Sequence, residues 1–316
     1  MKNNSRVKSV LHAFLCFAPI LAVAGCSHSR VSSKDAAVPN VHVFSSPEGG
    51  IFANAYLVET SDHVVAIDAT LLNSTSLALK AQLDAIGKPL AFVLLTHGHP
   101  DHYNGLTHLI EGSKAPILAT LGATQVIQAS DAAKEKQWAP VFGAEWPQPR
   151  TFPTRTVVDG ESITVDRVKF TVHDLGPGES NSDSYWTMDA GSHRSAFIGD
   201  VVLNGVHAYL TDGHSSAWLK NISRLEGELQ GAERLYPGHG AAGGLEILGW
   251  ERTYLEAYRA NVRKLARGKN HLTASQKKKL VAAMEKVLPN KKLEFLISLG
   301  ADPVAAELAA EKSSRH

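Results

Sequence analysis

The sequence predicts an α/β fold followed by a helical C-terminal extension. Three observations carry that prediction. Strand-like apolar runs alternate with amphipathic helical patterns in two successive blocks, and beyond Gly244 only helical periodicity remains. The chain has 316 residues with 44% apolar content, enough to bury a sizeable core. No repeat of 20–50 residues is visible.

The first element is a targeting segment. Lys2, Arg6 and Lys8 form a basic start, and Leu11 to Ala24 is an apolar stretch too short for an ordinary membrane span. It closes on Val23-Ala24-Gly25-Cys26. Small residues before a cysteine match the bacterial lipobox, so residues 1–25 are expected to be a lipoprotein signal peptide, with Cys26 carrying lipid. The alternative is a plain signal peptide with a coincidental cysteine. Ser27, rather than Asp, after the cysteine favours the outer membrane. The expected location is the cell envelope, lipid-anchored on the periplasmic side.

The only cysteines are Cys16 and Cys26, so the mature domain has no thiol. That excludes a disulfide, a cysteine nucleophile and a cysteine metal ligand. Net charge is +1, and loss of the three basic residues leaves 29 bases against 31 acids, or −2. Neither value suggests a nucleic-acid surface.

Residues 26–40 are small and polar and read as a flexible tether. Strands are expected at Ile51–Glu59, His63–Asp68 and Ala91–Thr96, with a helix over Leu72–Ile86. Ile117–Ala119 is expected as a strand, followed by a helix near Gly122–Lys136. The second block reads as strands at Thr156–Val158, Ser162–Val165, Val168–His173, Ser184–Met188 and Ser195–Ile198. A helix over Ser215–Leu229 follows, capped by Ser215 or Ser216. The prolines of Ala139–Pro153, with Trp146-Pro147-Gln148-Pro149, suggest a stiff loop, either a pocket wall or a packed connector. The extension, residues 246–316, should hold helices near Leu245–Leu265, Ser275–Val287, Leu293–Leu299 and Pro303–Ala310. Its Lys277-Lys278-Lys279 run reads as a solvated face, or as a contact with anionic lipid.

The densest chemistry is His97-Gly98-His99-Pro100-Asp101-His102, directly after the apolar run Phe92-Val93-Leu94-Leu95-Thr96. Residues two apart in an extended turn point the same way, so His97 and His99 can hold one metal ion. Asp101 and His102 fall beyond the bend and can hold a second. Packing and solubility need no such density. His207, Tyr209 and His214 are candidate pocket residues, more often structural than catalytic, and His108 reads as a structural histidine.

This run resembles the signature of the metallo-β-lactamase-fold hydrolases, and the resemblance extends over residues 41–245. Further landmarks fall in order: Asp68 after a strand, Gly176-Pro177-Gly178, Phe197-Ile198-Gly199-Asp200 and Tyr236-Pro237-Gly238-His239-Gly240. The resemblance implies a four-layer αβ/βα sandwich with two divalent ions at one edge. It assigns His97, His99 and the residue after Gly178 to the first ion, and Asp101, His102 and His239 to the second. Asp200 bridges both, Asp101 and Asp200 take the catalytic roles, and Asp68 orients a ligand histidine. An aspartate at position 200, rather than cysteine, is similar to the glyoxalase II and lactonase branches.

One position departs from the family pattern. The residue after Gly178 is usually histidine, and here it is Glu179. The alkylsulfatase branch is similar in using glutamate in its first site, and a carboxylate is a competent zinc ligand. His173 is the substitute if Glu179 is not the ligand. With Glu179, three carboxylates and a bridging hydroxide balance two divalent ions, so the pair is a weaker Lewis acid than the histidine version. Zinc remains the default metal, with manganese or iron as alternatives.

The function implied is hydrolysis of a small-molecule ester, thioester, lactone or β-lactam-type bond by the shared hydroxide. Lactonases place a tyrosine three positions after the bridging aspartate. Here that residue is Leu203, which argues against a lactone. The alternatives are a sulfatase-like hydrolase and a lipid-tethered metal-binding protein without turnover.

Overall fold

The computed structural model describes residues 38–313, so the signal peptide, Cys16, Cys26 and most of the expected tether lie outside the described residues. The first block contains β1 (Asn40–Ser45), β2 (Asn54–Glu59), β3 (Val64–Ile67), α1 (Asn73–Ile86), β4 (Leu90–Leu94), α2 (Pro100–Tyr103), α3 (Leu106–Leu109), β5 (Ile117–Thr120), α4 (Leu121–Phe142) and β6 (Arg155–Val157). The second contains β7 (Ser162–Val165), β8 (Val168–Gly176), β9 (Asp183–Ala190), β10 (His193–Leu203), α5 (Ser215–Glu228) and β11 (Arg234–His239). The extension is α6 (Glu246–Ala266), α7 (Ala274–Val287), α8 (Phe295–Leu299) and α9 (Ala301–Ser313).

The strands form two sheets, ordered β1-β2-β3-β4-β5-β6 and β11-β10-β9-β8-β7. The period-two alternation of side chains assigns the central strands to two cores at once. On β2, Tyr56 and Val58 face the core between the sheets, while Ala55 and Leu57 face α1, α3 and α4. On β10, Phe197 points between the sheets, while Ala196 and Ile198 point to α5 and the extension. Strands buried on both faces read as continuous apolar runs, which is why the sequence shows runs rather than alternation. The result is the expected four-layer αβ/βα sandwich, with the helical extension packed on its outer face.

Three expectations are corrected. The strand at 155–157 is not part of the second sheet: β6 pairs parallel with β5 and closes the first. A short isolated strand carries no signal of which sheet it will join. Helix α4 runs through Pro140 to Phe142 instead of ending near 136. A proline so close to the C-terminus breaks only the last turn, and its side chain is exposed. The cap of α5 is not Ser215 or Ser216. Their backbone N–H groups donate to the Glu307 carboxylate of α9 at 3.1 and 2.7 Å, a cap supplied from 92 residues away. In addition, β1 begins at Asn40, inside the span read as tether.

The sheets are stitched together at the edge where β3, β4, β10 and β11 end. Trp186 Nε1 donates to the Leu95 carbonyl at 3.0 Å, and Ser184 donates to the Thr96 carbonyl through both N and Oγ. Asn54 Nδ2 donates to the carbonyls of Pro237 and Gly240. These buried bonds fix the loops that follow the strands. Among the described residues, no helix is long and apolar enough to cross a membrane.

Candidate metal centre

Seven side chains converge at this edge. The turn after β4 is extended at His99 and then enters α2 with Pro100 at its first position. The two rings before the helix therefore share a side, 4.9 Å apart, while Asp101 and His102 project from the first turn. Glu179 comes from the β8–β9 turn, Asp200 from β10 and His239 from the end of β11. The ligand atoms form two buried groups, His97/His99/Glu179 and Asp101/His102/Asp200/His239, each within 4.8 Å.

In the first group, Glu179 Oε2 lies 2.9 Å from His99 Nδ1 and 3.5 Å from His97 Nε2. In the second, Asp101 Oδ2 lies 3.3 Å from both His102 Nε2 and His239 Nε2. Asp200 reaches both groups. Its Oδ1 is 3.2 Å from His102 Nε2, and its Oδ2 is 3.3 Å from His239 Nε2 and 3.9 Å from His97 Nε2.

Hydrogen bonds behind the rings set their tautomers. Asp68 accepts from Thr96 N at 2.8 Å, Thr96 Oγ1 at 2.7 Å and His102 Nδ1 at 2.9 Å. His102 is therefore fixed with Nδ1 donating to Asp68 and Nε2 toward the cluster, where a bound cation would take the place of the ring's second proton. Thr96 has given its only proton to Asp68, so His97 Nδ1 must donate to Thr96 Oγ1 at 3.0 Å, which bares His97 Nε2. His99 turns Nε2 toward Asp212 Oδ2, 3.5 Å away, and its Nδ1 toward Glu179. Asp68 holds a left-handed φ of +58°, and the three bonds it accepts hold it there.

The electrostatics fit a cation site. Burial acts to raise Asp101 and Asp200, but the imidazoles of His102 and His239 hold both carboxyls well below their usual range. Burial pushes the Glu179 carboxyl up to about 8. His99 is lifted to about 10 against its own desolvation, chiefly by Glu179. That pair thus holds a proton that a metal ion would displace. His97 Nε2, both Glu179 oxygens and Asp200 Oδ1 are buried without a hydrogen-bond partner. Unpaired buried acceptors of this kind are costly in a folded protein and are what divalent cations satisfy. The residues present therefore fit two metal ions.

Two glycines make room. A Cβ on Gly238 would lie 1.7 Å from Asp200 Oδ1. Gly199, at φ +50°, would place one 2.6 Å from Thr96 Oγ1. Any side chain at either position would displace the groups that orient the cluster.

The structure brings together all seven residues that the sequence and the family resemblance named, with Asp68 behind them. His173 is not brought to the cluster: it stacks on Tyr185 and bonds Thr187 Oγ1 at 3.2 Å. His207 is buried between Tyr254 and Asn290, His214 bonds Asn181, and His108 bonds Asn73. Tyr209 does line the cavity over the cluster, its ring 5.0 Å from His99. Trp146 is buried among Leu71, Leu72 and Arg150, so that part of the Ala139–Pro153 segment is a packed connector, while Phe142 at its start joins Trp138 of α4 in the cavity wall.

Four residues escaped the sequence. Asp183 clamps the Glu179 turn by accepting from Glu179 N at 2.6 Å and from Ser180 N and Oγ. Asp212 sits behind His99, and Lys134 enters the cavity from α4. Glu251 of α6 accepts from Leu203 N at 2.9 Å, tying the extension to the strand that carries Asp200. Only Asp183 had a local signal, an acid four residues after Glu179. The others meet the site through tertiary packing.

The profile of the metallo-beta-lactamase superfamily matches residues 49–239. The chain is 30% identical over 112 residues to YobT, an uncharacterised protein of Bacillus subtilis, covering 35% of this chain and 48% of YobT. It is 23% identical over 186 residues to a hydroxyacylglutathione hydrolase of Idiomarina loihiensis, covering 58% of this chain and 60% of that protein. Less than two thirds of each of these relatives is therefore spanned. Among solved structures, a metallo-beta-lactamase family protein of Thermus thermophilus superposes with a TM-score of 0.62 at 19% identity, over 86% of this chain and 94% of that one. A metallo-beta-lactamase of Pontibacter korlensis gives 0.54 at 17% identity, over 68% and 94%. At these identities the structural likeness concerns the fold.

Proposed function

The chain belongs to the metallo-beta-lactamase superfamily, and on that premise we propose that it is a metallo-hydrolase that cleaves a carbonyl-centred bond of a small molecule with two divalent ions, zinc by default. The bond classes that suit the site are ester, thioester and β-lactam, with lactone disfavoured by Leu203. The observation that carries the reading is the pair of buried ligand groups sharing Asp200.

His97, His99 and Glu179 would hold one ion, and Asp101, His102 and His239 the other, with Asp200 between them. When bound, such ions supply Lewis acidity and lower the pKa of water. The chain's own contribution is orientation. Asp68 and Thr96 keep the lone pairs of His102 and His97 aimed inward, Asp212 does so for His99, and Asp183 fixes the turn that carries Glu179. Asp101 and Asp200 stay ionised at neutral pH, so they offset cation charge without first losing a proton. The sandwich excludes solvent from behind the cluster, and the apolar cavity admits substrate from the front.

Elemental analysis of metal-replete protein should find two ions per chain. A chromogenic panel of esters, thioesters, cephalosporins, lactones and sulfate esters identifies the bond. Asp200→Ala should lose most turnover and His108→Ala should keep it. One ion or none per chain, or turnover confined to sulfate esters, rejects this reading. We further propose envelope anchoring through lipid on Cys26, supported by the lipobox sequence alone.

A further inference from the structure

The cavity over the two ligand groups holds about 1000 Å³ of space, open solvent at its mouth included. Helix α4 presents Lys134, Trp138 and Phe142 to it, a stripe at four-residue spacing along one face. The extension forms an apolar wall with Phe295, Leu296 and Leu299. Phe295 is 53% and Leu299 47% exposed, unusual for such large apolar groups and placed where a ligand would cover them.

Lys134 is the only lysine or arginine among the residues that line this cavity. Among the described residues it forms no salt bridge; its ammonium interacts electrostatically with Asp212 and rests over the Tyr209 ring, 5.4 Å from the centroid. It is half-buried, one helical turn from Trp138. With Glu179 in place of histidine, three carboxylates offset most of the charge of two ions, so the centre itself attracts an anion less. Lys134 is then the one fixed cation a negatively charged substrate meets.

We propose that the substrate is an anionic amphiphile, with an apolar acyl chain held between α4 and α8 and an anionic group on Lys134. The inference rests on the hydrolase reading and names the substrate class of the same site. In the step, water oxygen bonds to the acyl carbon and the acyl–oxygen or acyl–sulfur bond breaks. The leaving alcohol or thiol takes one proton, and the second is released as the product acid ionises.

The test compares two chromogenic esters of equal chain length on the zinc-loaded full chain: 4-nitrophenyl hydrogen suberate, with a terminal carboxylate, and neutral 4-nitrophenyl octanoate. A half-exposed ion pair should favour the anionic ester about fivefold in kcat/KM, mostly through KM. The ratio should fall to about one in Lys134→Met, drop below one in Lys134→Glu, and persist in Lys134→Arg. Calorimetric binding of octanesulfonate, a poor zinc ligand, should weaken by a similar factor in Lys134→Met. An unchanged ester ratio in Lys134→Met overturns the proposal while leaving the hydrolase reading intact. If neither ester is cleaved, ester hydrolysis fails, and the octanesulfonate titration alone decides: equal affinity for wild type and Lys134→Met overturns the assignment of Lys134.

Discussion

Replacing Asp68 by asparagine should disarm both metal sites at once without touching a ligand. Asp68 Oδ1 accepts the Thr96 N–H, so the amide oxygen of asparagine must stay there. The new NH2 then faces Thr96 Oγ1 and His102 Nδ1, which lie 2.7 and 2.9 Å from Asp68 Oδ2. Both atoms must become acceptors. His102 answers by moving its proton to Nε2, and Thr96 answers by donating its hydroxyl proton to His97 Nδ1, which moves that ring's proton to Nε2. Two imidazoles then present N–H groups where lone pairs are needed. Restoring the ligand tautomers leaves buried donors facing one another, at about 1–3 kcal/mol per site. Loss of such supporting groups commonly weakens metal binding by about 10–100-fold. Asparagine tolerates the φ of +58° as aspartate does, so backbone strain does not confound the result. Zinc competition with a chromophoric chelator, with circular dichroism as the check on folding, measures the two affinities. Thr96→Val is the control: it removes the group behind His97 and one of the bonds to Asp68, but leaves His102 Nδ1 donating to Asp68, so it should weaken chiefly one site. If folded Asp68→Asn binds both ions within about twofold of wild type, the tautomer argument is wrong.

The other expectations are narrower. Glu179→Ala should weaken the His97/His99 site by an order of magnitude or more while sparing the Asp101/His102/His239 site; equal binding at both would remove Glu179 from the ligand set. Glu179→His should keep two ions and shift the basic side of the pH–rate profile toward acid, because the centre becomes more positive. Burial pushes Glu251 up to about 8 from an ordinary 4.5, so its ionisation opposes folding, and stability is lost as pH rises from about 4.5 through 8. Glu251→Gln still accepts from Leu203 N and removes that loss, so its melting temperature should gain on wild type between pH 5 and 9; parallel curves would refute the assignment. Cys26→Ser should free the protein from the membrane fraction with its fold intact, and continued membrane association would reject the lipid anchor.

The sequence by itself determined the alternation of strands and helices and the identity of the clustered residues. Strands buried on both faces favour apolar residues, and three histidines with an aspartate crowded into six residues are more than packing requires. His97 to His102 are legible because one local turn places them. Glu179, Asp200 and His239 were found only because a family resemblance supplied positions that spacing alone does not. Tertiary structure decided the rest. Which sheet takes β6, how the Glu307 carboxylate caps α5 and how Lys134 comes to share a cavity with Phe295 all depend on contacts between segments far apart in the chain. Local periodicity encodes which face of an element is buried, but not which distant element will bury it, because that choice follows from packing the whole set of faces together.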